Sequence, residues 1–133
     1  MTVLNEGSNY RVSLDGKVAS AVIWKRPDLS AQEGAEAARE LAVYMETLAR
    51  KHAETATAAI VDLREAPPVA GPKTQAHVAA IMHAWELAGR RIAWIVGDSP
   101  LQQLQIKRLV REHSPRMGTV VTSIAEARAW IAA

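Results

Sequence analysis

Four polar pairs stand where a short apolar run gives way to a loop: Lys25-Arg26, Arg64-Glu65, Asp98-Ser99 and Thr122-Ser123. In open α/β sheets, ligands collect at the carboxyl ends of the strands, where loops and helix amino ends converge. Free backbone N–H groups at a helix start, with an arginine beside them, suit an anionic group. Lys25, Arg26, Arg64, Asp98 and Ser99 are therefore the candidate ligand-binding set, and the ligand they suggest is small and anionic. A purely structural account also fits them. The serines would satisfy backbone donors and the charges would be solvated, since no Gly-rich phosphate loop accompanies them.

Asp62 closes the apolar run Ile60-Val61-Asp62. Burial there would raise its pKa and mark a site. The structural alternative is a carboxylate bonded to the backbone of a neighbouring loop. A phospho-acceptor of the receiver-domain kind would need an acidic pair after the first parallel strand and a lysine after the last. Trp24-Lys25-Arg26 and Thr122-Ser123 supply neither.

The histidines are His52, His77, His83 and His113. None has a partner at metal-ligand spacing with a carboxylate, and His77 and His83 stand roughly 120° apart around a helix. No Gly-x-Ser-x-Gly elbow is present. We therefore assign no catalytic residue, no metal site and no cofactor, and expect a non-enzymatic protein. Arg90, Arg91, Lys107, Arg108, Arg111 and Arg116 make the second half locally basic, either as a surface for an acidic partner or as the solvated side of a helix. No aromatic ladder for stacking bases accompanies them, and the net charge is only +2, so no nucleic-acid partner is expected. The Pro67-Pro68 turn is either a rigid recognition surface or a spacer.

These residues need elements to position them. At 133 residues the chain suits one domain. It lacks cysteine, which excludes disulfides, thiol catalysis and zinc–thiolate sites. No signal-like or membrane-length apolar stretch is seen, so a cytoplasmic protein without a membrane partner is expected. Residues 1–9 are polar and read as a flexible N-terminus.

Two strand-forming runs, about 10–14 and 17–24, flank Asp15-Gly16, a dipeptide suited to a two-residue hairpin with positive φ at both central positions. Ser30 with Glu33 forms a capping box opening a helix whose apolar stripe is Ala35, Ala38, Leu41, Ala42, Met45, Leu48 and Ala49. Ala58 to Leu63 reads as a strand covered on both faces. A proline-rich loop leads to a second helix from about Lys73 to Ala88, stopped by Gly89. Arg91 to Val96 is another buried strand. Ser99, Pro100 and Gln102 start a third helix, with Gln102 as the capping-box partner. Gly118 to Val121 is the last strand, and Ser123 with Glu126 caps the last helix. Trp24, Trp85, Trp94 and Trp130 fall at core or core-edge positions.

The expected fold is thus α/β, a single domain ordered β-β-α-β-α-β-α-β-α. Its sheet is mostly parallel, with an N-terminal antiparallel hairpin.

The hairpin, the Asp62-bearing third strand and the closing helix Ser123-Ile124-Ala125-Glu126-Ala127-Arg128-Ala129-Trp130-Ile131 resemble a STAS-type domain. That is the fold of bacterial anti-sigma factor antagonists and of related STAS/SEC14-like proteins. The resemblance covers about residues 10 to 133 and lies in element order and hydrophobic pattern. It implies a regulatory or scaffolding module that binds a protein partner. Antagonists of this kind carry a phosphorylatable serine in an Asp-Ser-Ser-Gly-like turn opening the helix after the third strand. Here that turn reads Pro67-Pro68-Val69-Ala70-Gly71-Pro72-Lys73-Thr74, with Thr74 the only hydroxyl. No phosphorylation site of the family's kind is expected. The functional expectation is a protein–protein interaction module whose partner is not identified, with a homodimer possible. The alternative is a small anionic ligand-binding domain, or an enzyme, using the strand-end crevice.

Overall fold

Gly16 takes φ 62°, and Asp15 pairs with Val18, so the hairpin loop is Gly16-Lys17. This is one residue later than the Asp15-Gly16 turn expected from sequence. Only the first loop position needs positive φ, which suits glycine there and leaves Lys17 unstrained. The computed structural model describes residues 1–133. The hairpin strands are β2 (Tyr10–Asp15) and β3 (Val18–Trp24).

Ahead of them lies β1 (Thr2–Glu6), antiparallel to β2, in the segment expected to be a flexible N-terminus. Its residues alternate poorly and it is mostly exposed, so the pattern is silent. What holds it is edge hydrogen bonding, Leu4 packed on the core, and a Tyr10 hydroxyl donating to Asn5 Oδ1 at 2.8 Å.

From Tyr10 onward the order is the expected one: α1 (Ala31–Lys51), β4 (Ala58–Glu65), α2 (Pro72–Ala88), β5 (Ile92–Ile95), α3 (Pro100–His113), β6 (Gly118–Val121) and α4 (Ile124–Ala132). The six strands lie in chain order, β1 to β6, and the pairs from β3 to β6 are parallel.

Such an order has a consequence for packing. Successive right-handed crossovers in one direction put their helices on one face of the sheet. Leu41 and Met45 of α1, Met82 and Trp85 of α2 and Ile106 and Leu109 of α3 share one core with Val61, Ile92 and Trp94. Only α4 lies on the opposite face, where Ala127 joins Ile60, Ala93 and Ile95. The order never reverses, so the sheet has no switch-point crevice of the doubly wound kind. Any concavity must come from the helices. No helix is long and apolar enough to cross a membrane.

Candidate functional site

α1 has 21 residues and spans about 31 Å, against about 23 and 26 Å for the seven and eight residues of β3 and β4 that it joins. Leu41, Ala42, Met45, Leu48 and Ala49 are buried, but Ala35 and Ala38 on the same stripe are only half-buried. They face a groove of about 950 Å³ between the amino-terminal turns of α1 and α2, above the strand ends. That volume lies within the range of pockets that hold drug-sized ligands. Small side chains on α1 keep the groove open: Gly34, Ala35 and Ala38 form one wall. His77 and Val78 of α2 form the other, and Ile23, Leu63 and Trp94 lie among its sheet-side lining.

The third side is the β4–α2 loop, and glutamines fix it. Gln105 Oε1 accepts from the Ala70 amide at 3.1 Å, while Gln105 Nε2 and Gln75 Nε2 donate to the Ala70 carbonyl. Pro67 of the Pro67-Pro68 turn lines the groove together with Val69 and Ala70. Gln102, only 4% exposed, ties β4 to the turn after β5. Its Nε2 donates to the Leu63 carbonyl and its Oε1 accepts from the Gly97 amide. Only half of the expected capping box therefore exists at α3: Ser99 Oγ accepts from the Gln102 amide, but the Gln102 side chain is engaged elsewhere. At α1 the box of Ser30 and Glu33 is complete in both directions.

The five residues proposed from sequence stand on adjoining strand ends, where the Lys25 amide donates to the Glu65 carbonyl and Gly97 lies against the Arg64 backbone, but they do not share the groove. Arg26 alone among them lines the groove, and its guanidinium is taken up by the Asp28 carboxylate and the Ser8 carbonyl. Lys25 and Asp98 are exposed and outside the lining, and Ser99 is a helix cap. Arg64 alternates with Leu63 along β4 and so leaves the groove side, where it forms a bidentate pair with Asp62. Burial works to raise the Asp62 carboxyl, but hydrogen bonds from the Arg64 side chain and amide outweigh it and hold the pKa below the ordinary value. Asp62 is thus neither a raised-pKa site nor a loop anchor. Its strand simply places a strong donor two residues on. Thr74 does line the groove, half-buried in the first turn of α2.

The basic residues also disperse. Arg90 Nη1 donates to the Leu48 and Ala56 carbonyls at the end of α1. Arg91 lies 4.5 Å over the Trp130 ring, and Arg116 pairs with Glu86.

Two features of the groove carry no sequence signal of their own. α2 starts at Gly71 with Pro72 as its first residue, and no side chain caps it. The amides of Lys73 and Thr74 have no acceptor in the protein, and its first turn contains no acid. The other three helices each have a serine cap. In addition, the fully buried Trp94 borders the groove, its indole N–H without a partner as is that of Trp85 away from it. The small side chains of the α1 stripe are the one clue that sequence does offer.

No protein-family model matches the chain, and no curated protein matches it in sequence. In structure it is similar to the NMR structure of the protein TM1081, with a TM-score of 0.59 and 10% identity, over 91% of this chain and 86% of that one. A likeness at that identity is one of fold.

Proposed function

We propose that this chain is a binding domain for a small, largely apolar molecule held in the groove between α1 and α2. One observation carries the reading: a groove of about 950 Å³ walled by alanine-rich helix and fixed by glutamine clamps on the loop. Sites of this kind combine an apolar lining with a few placed polar groups. The reading differs from the sequence-based alternative in its site, because the ligand would contact helix walls and not Lys25, Arg64 and Asp98. Native mass spectrometry of the protein, purified gently from its host, tests it. A mass exceeding the chain by a few hundred daltons, lost when Ala38→Trp fills the groove, is the expected result. A bare chain that also takes up no apolar probe overturns it.

A second reading keeps the STAS-type resemblance: a cytoplasmic, non-enzymatic regulatory module that binds a protein partner or a second copy. It is favoured by Leu101 and Leu104, 65% and 67% exposed and three residues apart on α3. Lys107 and Arg111 on the same helix form no ion pair within the chain. A stable heteromeric or dimeric mass in the same spectrum, abolished by Leu101→Asp with Leu104→Asp, would select this reading.

A further inference from the structure

We infer that the exposed side of α3 docks an acidic, amphipathic helical segment of a protein partner. Leucines of this chain meet the segment's apolar residues, and cations of this chain meet its carboxylates. The inference rests on the second reading above and gives the partner its chemistry.

Spacing sets the stripe. Leu101, Leu104, Arg108 and Arg111 follow at intervals of three, four and three, so they share one side of α3 over about 15 Å. The buried residues Gln102, Ile106, Leu109 and Val110 occupy the opposite side. Leu101 and Leu104 are the exposed large apolar residues of the helix, in its amino-terminal half. Lys107, Arg108 and Arg111 are exposed in the half that follows. The stripe is thus apolar at one end and cationic at the other. Val69, itself exposed, stands on the loop that Gln105 holds against α3.

Charge identifies what covers it. Six of the eleven arginines pair with a carboxylate inside the chain. Lys107, Arg108 and Arg111 have no such partner, and Arg108 only donates to Gln75 Oε1. The one acid of α3, Glu112, stands 3.7 Å from His113. Three unbalanced cations beside two exposed leucines match carboxylates and aliphatic side chains on one surface.

Other occupants fit less well. A second copy pairing the same stripe through a two-fold axis adds three more cations and no acid beyond Glu112. Nucleic acid offers the leucines little that is apolar, and α3 carries no aromatic side chain to stack on a base. Three cations fall short of the about four to eight that hold a basic segment on an anionic membrane.

The test is a titration of the ¹⁵N-labelled whole chain with two synthetic amphipathic helical peptides of about 20 residues, one of Leu, Ala and Glu and one of Leu, Ala and Lys. Phosphatidylglycerol vesicles are the parallel probe. The titration is repeated on Lys107→Glu with Arg111→Glu, and on Leu101→Ser with Leu104→Ser. All four positions are exposed, and unchanged thermal melts show that the variants are folded.

We expect the Glu peptide to bind at least about tenfold more tightly than the Lys peptide and to move the α3 amides from Leu101 to Arg111. Added salt should narrow the gap. Reversing Lys107 and Arg111 should invert the preference, and the double Ser variant should weaken the Glu peptide by at least about tenfold. Equal binding of the two peptides, indifferent to charge reversal, would overturn the acidic assignment while leaving α3 as an apolar docking surface. Shifts in α3 with vesicles and not with the Glu peptide would overturn it in favour of a membrane. Shifts that follow protein concentration alone would overturn it in favour of a second copy. An α3 unmoved by every probe would overturn the inference, and the reading beneath it would then stand or fall on the heteromeric mass and its loss in Leu101→Asp with Leu104→Asp.

Discussion

Gln102 Nε2 lies 2.9 Å from the Leu63 carbonyl oxygen, a hydrogen bond that joins the start of α3 to the end of β4. The same side chain accepts from the Gly97 amide at 2.8 Å, so one buried amide satisfies two strand-end groups at once. Replacing it by Leu would keep the volume but strand the Leu63 carbonyl and the Gly97 N–H. Gln102→Leu should lose about 2 kcal/mol in urea denaturation, the cost of leaving buried polar groups unpaired. A loss below about 0.5 kcal/mol, the scale of an ordinary surface substitution, would show that the clamp is dispensable.

Glu86 makes a second link, between the end of α2 and the segment before β6. Its carboxylate accepts from the Arg116 and Met117 amides and from Arg116 Nε, and its side chain is 13% exposed. Burial works to raise the Glu86 carboxyl, yet these donors outweigh it and hold the pKa below the ordinary value. The sign follows from linkage: a depressed native pKa means the stabilisation is present above the unfolded value and is lost as pH falls through the native one. Glu86→Gln should therefore be less stable than the parent at pH 7, and the gap should close as the pH falls below about 4. Thermal melts across that range check it, and a gap that persists at the acid end would contradict the linkage. Asp62, also depressed through its Arg64 bonds, should behave in the same direction. Arg116→Ala should matter less, since that side chain is 74% exposed.

The Ser30–Glu33 capping box was readable because both halves are local in sequence, and the structure forms both. Gln102 at the same spacing from Ser99 went elsewhere, because two unsatisfied strand-end groups lay within its reach. Spacing states what a side chain can reach, and burial decides what it must reach. Arg64 illustrates the same limit at the candidate site. Its place at a strand end was legible, but a period of two sends neighbours to opposite faces, and Leu63 took the groove side. The α1 stripe is continuous in sequence from Ala35 to Ala49. Ala35 and Ala38 instead line the groove, because its opposite wall is α2, and a pairing of helices is not written in the stripe of either one. β1 escaped the pattern because an edge strand with few buried residues carries little alternation.

Gly7 packs against the face of Tyr10, and a Cβ there would stand 2.0 Å from the ring. Tyr10 is 2% exposed and anchors β1 through Asn5, so the ring has little room to retreat. Gly7→Ala should cost about 1–3 kcal/mol, the range for overpacking a filled site. Hydrogen exchange should show the loss locally, with faster exchange in Thr2–Glu6 and unchanged protection in β4 and β5. Uniform loss across the sheet would mean that β1 does not open as a separate unit.

Ala42 and Ala38 lie one turn apart on α1 with opposite fates, and the pair tests the groove without any ligand. Ala42 is 1% exposed within the core and outside the groove lining, whereas Ala38 is half-buried on the groove wall. Extra methylenes at position 42 must displace packed atoms, so Ala42→Leu should cost about 1–3 kcal/mol. At position 38 the added side chain can extend into the groove and cover Val78 or Ile81. Ala38→Leu should be within about 0.5 kcal/mol of the parent, as at sites away from a packed core. Both residues are good helix formers, so propensity does not confound the comparison. Equal destabilisation by the two substitutions in urea melts would mean that the α1 wall closes onto α2 in solution. Tolerance at position 38 alone establishes that the groove persists there and can receive an apolar group.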